Sequence, residues 1–268
     1  MVKKLIKYDF ASYMRLLIPI QLAVLGIAVI NRIVQLFENY DNEVYGIIFG
    51  SSLGLYIISI VVALVLTTII AIVRFYQGMY SNEGYLSHTL PVTPTQHIFS
   101  KLIVSMLFEL GTLFTVFVSF CIATLGEMNI EIFKAAGFLF GKAFERLHWN
   151  FPFYIAEFVL LMIIAFAAAM LKLYFCISVG QLAQKKKILL AVGVYFGIYI
   201  ITQIIGTVFI VFVTLNPDLF ERLGEWIEKN IELFWHISTI GSAVISLVIG
   251  SVYFLLTRFI MSRKLNLT

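Results

Sequence analysis

Six stretches of more than twenty predominantly apolar residues, at about 16–36, 46–73, 102–125, 151–176, 188–214 and 233–257, constrain this chain more than any motif in it. A helix needs about 20 such residues to cross a hydrocarbon layer roughly 30 Å thick. The runs are continuously apolar and lack strand-like alternation, so spanning helices are expected, not the strands of a barrel. With 61% hydrophobic and only 13% charged residues, the chain would carry large apolar patches into water as a soluble domain. The expected fold class is therefore all-α: a polytopic membrane protein with six transmembrane helices, as one domain over 1–268. The first run continues past Asn31 and Arg32 and lacks a small-residue cleavage site, so it reads as a span and not a signal peptide.

Charge orients the spans. One set of connections and ends holds twelve bases: Lys3, Lys4, Lys7, Arg15, Arg74, Lys101, Lys185, Lys186, Lys187, Arg258, Arg263 and Lys264. The opposite set holds five: Lys134, Lys142, Arg146, Arg222 and Lys229. The positive-inside bias makes the first set cytoplasmic, with both termini inside. Net charge of +4 thus reflects topology, and no basic patch interleaved with stacking aromatics points to nucleic acid. Cys121 and Cys176 fall at opposite depths of their spans, which forbids a bridge between them.

Three segments outside the spans carry helical signals. Residues 1–15 mix Lys3, Lys4 and Lys7 with Leu5, Ile6, Phe10 and Tyr13, as a basic amphipathic helix at the cytoplasmic interface or a merely positive tail. In 126–150, Phe133, Ala136, Phe140, Phe144 and Leu147 recur at helical spacing. In 215–232, Asn216 is placed to cap a helix that opens at Pro217, with Leu219, Leu223, Trp226 and Ile227 as its stripe. The last two read as interfacial helices on the outer side or as ordinary surface helices. Gly50–Gly54 and Gly193–Gly197 have the four-residue spacing that lets membrane helices approach closely.

No catalytic constellation is present in the sequence. "GFLFGK" at 137–142 has neither the spacing nor the Ser or Thr of a phosphate loop, and the four histidines do not cluster in sequence. The chain is not expected to be an enzyme. Glu109 and Gln203 lie deep in spans, where polar side chains usually face a cavity or a partner. Each is a candidate pathway residue or an interhelical hydrogen-bonding group. Glu157 lies near the outer end of its span, within reach of headgroups.

The most polar stretch of the first half is "SNEGYLSHTLPVTPTQHIFSK", 81–101. Ser81 as N-cap, Glu83 in a first turn and Pro91 as a stop delimit a short helix over 81–90, about 13 Å long. Thr93, Pro94 and Gln96 then open the next helix as a capping box. A short helix held between two projecting spans is suited to dock on a cytoplasmic partner.

"NEGYLSHTLPVTPTQHIFSKL" resembles the first cytoplasmic connection of bacterial ABC transporter permeases of the type-2 exporter class. "YFCISVGQLAQKKKIL", 174–189, is similar to that family's second connection, and "LIKYDFASYMRLLIP" to its N-terminal interfacial helix. The resemblance implies a permease subunit of the bacterial cytoplasmic membrane, paired with a second permease subunit. A separate ATP-binding subunit would hold ATP and magnesium, so this chain would need no cofactor of its own. Glu83, Tyr85, Leu86, Thr89 and Leu90 would be the ATPase-coupling residues, with Gln181 and Lys185 as a second cytoplasmic contact. The cargo expected from the resemblance is amphipathic or hydrophobic: a peptide, an antibiotic or a lipid-like molecule. The outer loops are smaller than in better-studied members. A competing reading is a membrane sensor or scaffold that recruits a cytoplasmic partner without transporting anything.

Overall fold

The computed structural model describes residues 2–37, 43–81, 92–125, 127–147 and 150–263. Among these residues the secondary structure is helical without strands. The long helices are α1 (Val2–Leu36), α2 (Glu43–Tyr80), α3 (Pro94–Ala123), α5 (Phe151–Gly180), α6 (Lys187–Thr214) and α8 (Ile231–Arg263). Two shorter ones, α4 (Glu127–Leu147) and α7 (Pro217–Lys229), occupy the connections expected to be helical. All six long helices are long and apolar enough to cross a membrane.

The chain divides into two compact units, Met1–His148 and Trp149–Thr268. In the first, α1 packs against α3 and α2, and α2 against α3. Its buried positions recur at a helix period: Tyr13, Leu17, Val24, Ala28 and Asn31 on α1, and Ala63, Thr67, Ala71, Phe75 and Met79 on α2. On α3 the buried face includes Lys101, Ser105, Glu109, Thr112, Ser119 and Ala123. Much of this interior is small or polar, while large residues such as Ile58, Phe114 and Phe117 are exposed. That distribution suits a lipid solvent, where association relies on close backbone approach and interhelical hydrogen bonds more than on burying leucine.

α1 runs unbroken from the residues expected to lie along the interface into the span. Pro19 sits inside it and removes one backbone donor, yet the helix continues on both sides. Likewise α2 continues to Tyr80, seven residues past the expected end of its span.

In the second unit α5 packs along α8 and also against α6, and α7 touches the ends of α6 and α8. Two glycines permit close approach. A Cβ on Gly250 would lie 3.2 Å from Ala168 Cβ, at the α5–α8 contact. One on Gly180 would lie 2.7 Å from both Ala191 Cβ and the Lys187 carbonyl, where α5 turns back into α6. That turn also places Lys186 in the left-handed region, at φ 59°. By contrast, a Cβ on Gly50, Gly54, Gly193 or Gly197 would meet nothing within 4 Å. Among the described residues of their own units, the spaced pairs are not the sites of close packing.

Expected caps are seen in part. The Thr93 N–H donates to Gln96 Oε1 at 3.2 Å, and α3 opens at Pro94 as expected. Asn216 precedes Pro217 at the start of α7, but its Nδ2 donates back to the Phe212 carbonyl at 2.7 Å. Its amide therefore satisfies the end of α6 and not the start of α7.

Candidate functional site: a polar track through the first unit

α3 carries a charged or polar residue on its buried face at nearly every turn. From Lys101 to Ser119 this face runs about 27 Å at 1.5 Å per residue, close to the thickness of a hydrocarbon layer. Each part of the track has a partner on α1 or α2.

At the basic end, Lys101 Nζ lies 3.0 Å from Asp9 Oδ1, and Ser100 Oγ donates to Asp9 Oδ2. The lysine and aspartate side chains are only 7% and 20% exposed. The pair therefore belongs to the interior, where removing one partner leaves an uncompensated charge. Lys101 reaches Asp9 past α2 at a glycine: a Cβ on Gly78 would stand 2.5 Å from Nζ. Two turns further along α3, Phe108 stacks on Tyr13 with centroids 5.5 Å apart, and Tyr13 Oη donates to the Ala71 carbonyl at 3.4 Å. Arg74 reaches the Ser12 carbonyl at 3.5 Å. The ends of α1, α2 and α3 nearest the α2–α3 connection are thus fastened to one another.

In the middle of the track, Thr67 and Thr112 face each other with hydroxyl oxygens 3.0 Å apart, and Gln21 Nε2 donates to Thr112 at 3.3 Å. Both hydroxyls also reach the carbonyl one turn back, Ala63 and Phe108. Two protons serve three acceptor contacts, so the α2–α3 contact competes with local bonds to the backbone. One turn away, Thr68 Oγ1 donates to Glu109 Oε1 at 2.9 Å. Glu109 is buried and held by α2. Nearer the other end, Tyr56 and Ser119 pair at 3.0 Å beside Ala28 and Ala123.

Gln203 has a different setting: it is exposed on α6, a helix with no buried residue. Gln181 follows the last turn of α5, where its N–H donates to the Ile177 carbonyl at 3.1 Å, and Lys185 is exposed in the turn that follows. Glu83, Tyr85, Leu86, Thr89 and Leu90 lie outside the described residues, as does all but Ser81 of the helix expected over 81–90. Ser81, its expected cap, donates to the Gln77 carbonyl at 2.6 Å in the last turn of α2.

The second unit holds a separate cluster. His236 Nδ1 lies 2.8 Å from both Glu157 carboxylate oxygens, and Tyr154 stacks on the imidazole at 4.6 Å. Glu157 therefore bonds to α8 instead of reaching for headgroups.

Sequence reasoning passed over Asp9, Lys101, Thr67, Thr68 and Thr112. Asp9 was one acid among bases, and Lys101 one charge in a connection. The available signal was the three- and four-residue spacing of Lys101, Ser105, Glu109 and Thr112 along α3, which continues the expected helix into the segment that preceded the span.

The architecture and its buried polar track define an α-helical multi-pass membrane protein. No protein-family model, curated protein or solved structure matches the chain.

Proposed function

We propose that this chain is the membrane-spanning permease subunit of an ATP-driven exporter for an amphipathic or hydrophobic substrate. A separate cytoplasmic ATP-binding subunit would supply the energy, and a second permease subunit would complete the pathway. The observation that carries the reading is the Asp9–Ser100–Lys101 clamp. It fastens α1 to the first turns of α3, at the C-terminal end of the stretch whose sequence resembles that of the type-2 exporter permeases. A force applied to that connection by a partner would be passed to both helices together, because the buried ion pair resists their separation. The unequal charge of the two sides supports a cytoplasmic location for this end.

Co-purification of the full chain with its candidate ATPase tests the reading. The double substitution Glu83→Ala and Leu86→Ala should abolish ATPase binding and substrate-stimulated turnover while leaving the permease folded. Retention of both would remove the coupling role. An ATPase that binds normally, with no cargo moved in proteoliposomes, would favour the sensor or scaffold reading.

A further inference from the structure

Among the described residues Arg74 has no counter-ion. Its guanidinium is partly buried near the basic end of α2, and among the described residues no carboxylate lies within 4 Å of it. Its two hydrogen bonds are both long and both to neutral acceptors, 3.5 Å to Gln77 Oε1 and 3.5 Å to the Ser12 carbonyl. At that length they contribute little. The Nε–H is fully buried and makes no hydrogen bond. Asp9, the acid nearest in sequence to Ser12, has one oxygen on Lys101 and the other on Ser100. A partly buried guanidinium held only by long bonds to neutral acceptors is stabilised by an anion at its Nη donors.

The setting identifies the anion. Arg15 is three residues from Ser12 along α1, which places it on the neighbouring face of the helix, and it is exposed. Lys3, Lys4 and Lys7 are exposed nearer the N-terminus of the same helix, so this end of the first unit is basic and fits a negatively charged leaflet. A guanidinium fork offers parallel N–H donors matched to two phosphate oxygens. We propose that the α1–α2 junction binds the phosphate of an anionic phospholipid, with Arg74 as the anchoring donor and Arg15 and the lysines of α1 as surrounding charge. This site does not depend on the transport reading.

The test is equilibrium binding of dioctanoyl phosphatidylglycerol and dioctanoyl phosphatidylcholine to the detergent-purified full chain, by native mass spectrometry. The expected preference for phosphatidylglycerol is at least tenfold. Arg74→Gln should remove that preference, and Arg74→Lys, which keeps the charge but not the fork, should retain part of it. Lys7→Gln, a single exposed base, should cost about fivefold and lose its effect in high salt, whereas the Arg74 contribution should persist there. Equal affinity of the wild type for the two lipids overturns the proposal whether or not the variants fold. So does an Arg74→Gln effect no larger and no less salt-sensitive than that of Lys7→Gln. If inorganic phosphate at millimolar concentration displaces the lipid completely, the site is one for a soluble anion and the lipid assignment falls.

Discussion

Lys101 and Asp9, 92 residues apart, form a 3.0 Å ion pair that joins the first helix to the third in the interior of the first unit. Neither residue is remarkable in the sequence, and the contact exists because Gly78 leaves room for the lysine to pass. Removing either side chain breaks this buried pair. Asp9→Asn and Lys101→Met should each lower stability by about 3–5 kcal/mol, and the double variant should recover much of that loss. Unfolding of the full chain in mixed micelles measures all three. Additive losses would show that the two charges act independently.

Thr68 and Glu109 should be energetically coupled. A hydrogen bond to a carboxyl contributes about 1.5–3 kcal/mol where the carboxyl is charged and about 1 kcal/mol where it is not. In a double-mutant cycle, Thr68→Val and Glu109→Gln should therefore show an interaction energy of at least about 1 kcal/mol. Transport adds a second reading of Glu109. A Gln variant that keeps the wild-type rate and pH profile assigns the residue to packing, and a changed profile assigns it to the pathway.

Packing at the α5–α6 turn should be intolerant at a single atom. Gly180→Ala sets a methyl 2.7 Å from Ala191 Cβ and the Lys187 carbonyl. A backbone shift is needed, at a cost of about 1–3 kcal/mol. Gly54→Ala and Gly197→Ala point into open space and should change monomer stability by no more than about 0.5 kcal/mol. Thermal unfolding followed through the buried free thiol of Cys176 would compare them.

Lys186 is the one described non-glycine residue with positive φ, at 59°. The left-handed region costs a residue with a Cβ about 1–2 kcal/mol. Lys186→Gly should raise stability by up to about 1 kcal/mol, the larger unfolded-state entropy of glycine cancelling part of the relief. Ala in its place should give no gain.

His236 and Glu157 hold α8 to α5 through a 2.8 Å contact. Glu157→Gln keeps an oxygen that can accept from the imidazole, while Glu157→Leu does not. Stability should fall in the order wild type, Gln, Leu, with the leucine variant lower by about 1.5–3 kcal/mol if the pair is charged. In the His236→Ala background the penalty of Glu157→Leu should shrink or reverse, which a stability cycle at fixed pH reads directly.

Much of the architecture was legible because a bilayer demands it. Six apolar runs became six long helices, Pro94 and Pro217 began theirs where expected, and the stripes in 126–150 and 215–232 became α4 and α7. Each of these follows from local composition and from backbone hydrogen bonds that close within one segment. Helix ends were less legible. α2 ran on to Tyr80 and α1 began at Val2, because once a helix exists, continuing it costs less than ending it.

What the sequence alone determined is the helical, multi-pass class of this protein and the sidedness of its charge, since hydropathy and loop bases are local quantities. Tertiary structure decided which polar residues meet. Asp9 found Lys101, Thr68 found Glu109 and Glu157 found His236, while Gln203 lies exposed on α6 and Gly193 and Gly197 have no close neighbour among the described residues of their unit. Those outcomes depend on how each helix is rotated and on which neighbour it touches. A rotation of one residue, about 100° around the axis, exchanges a buried face for a lipid-facing one without altering any local propensity.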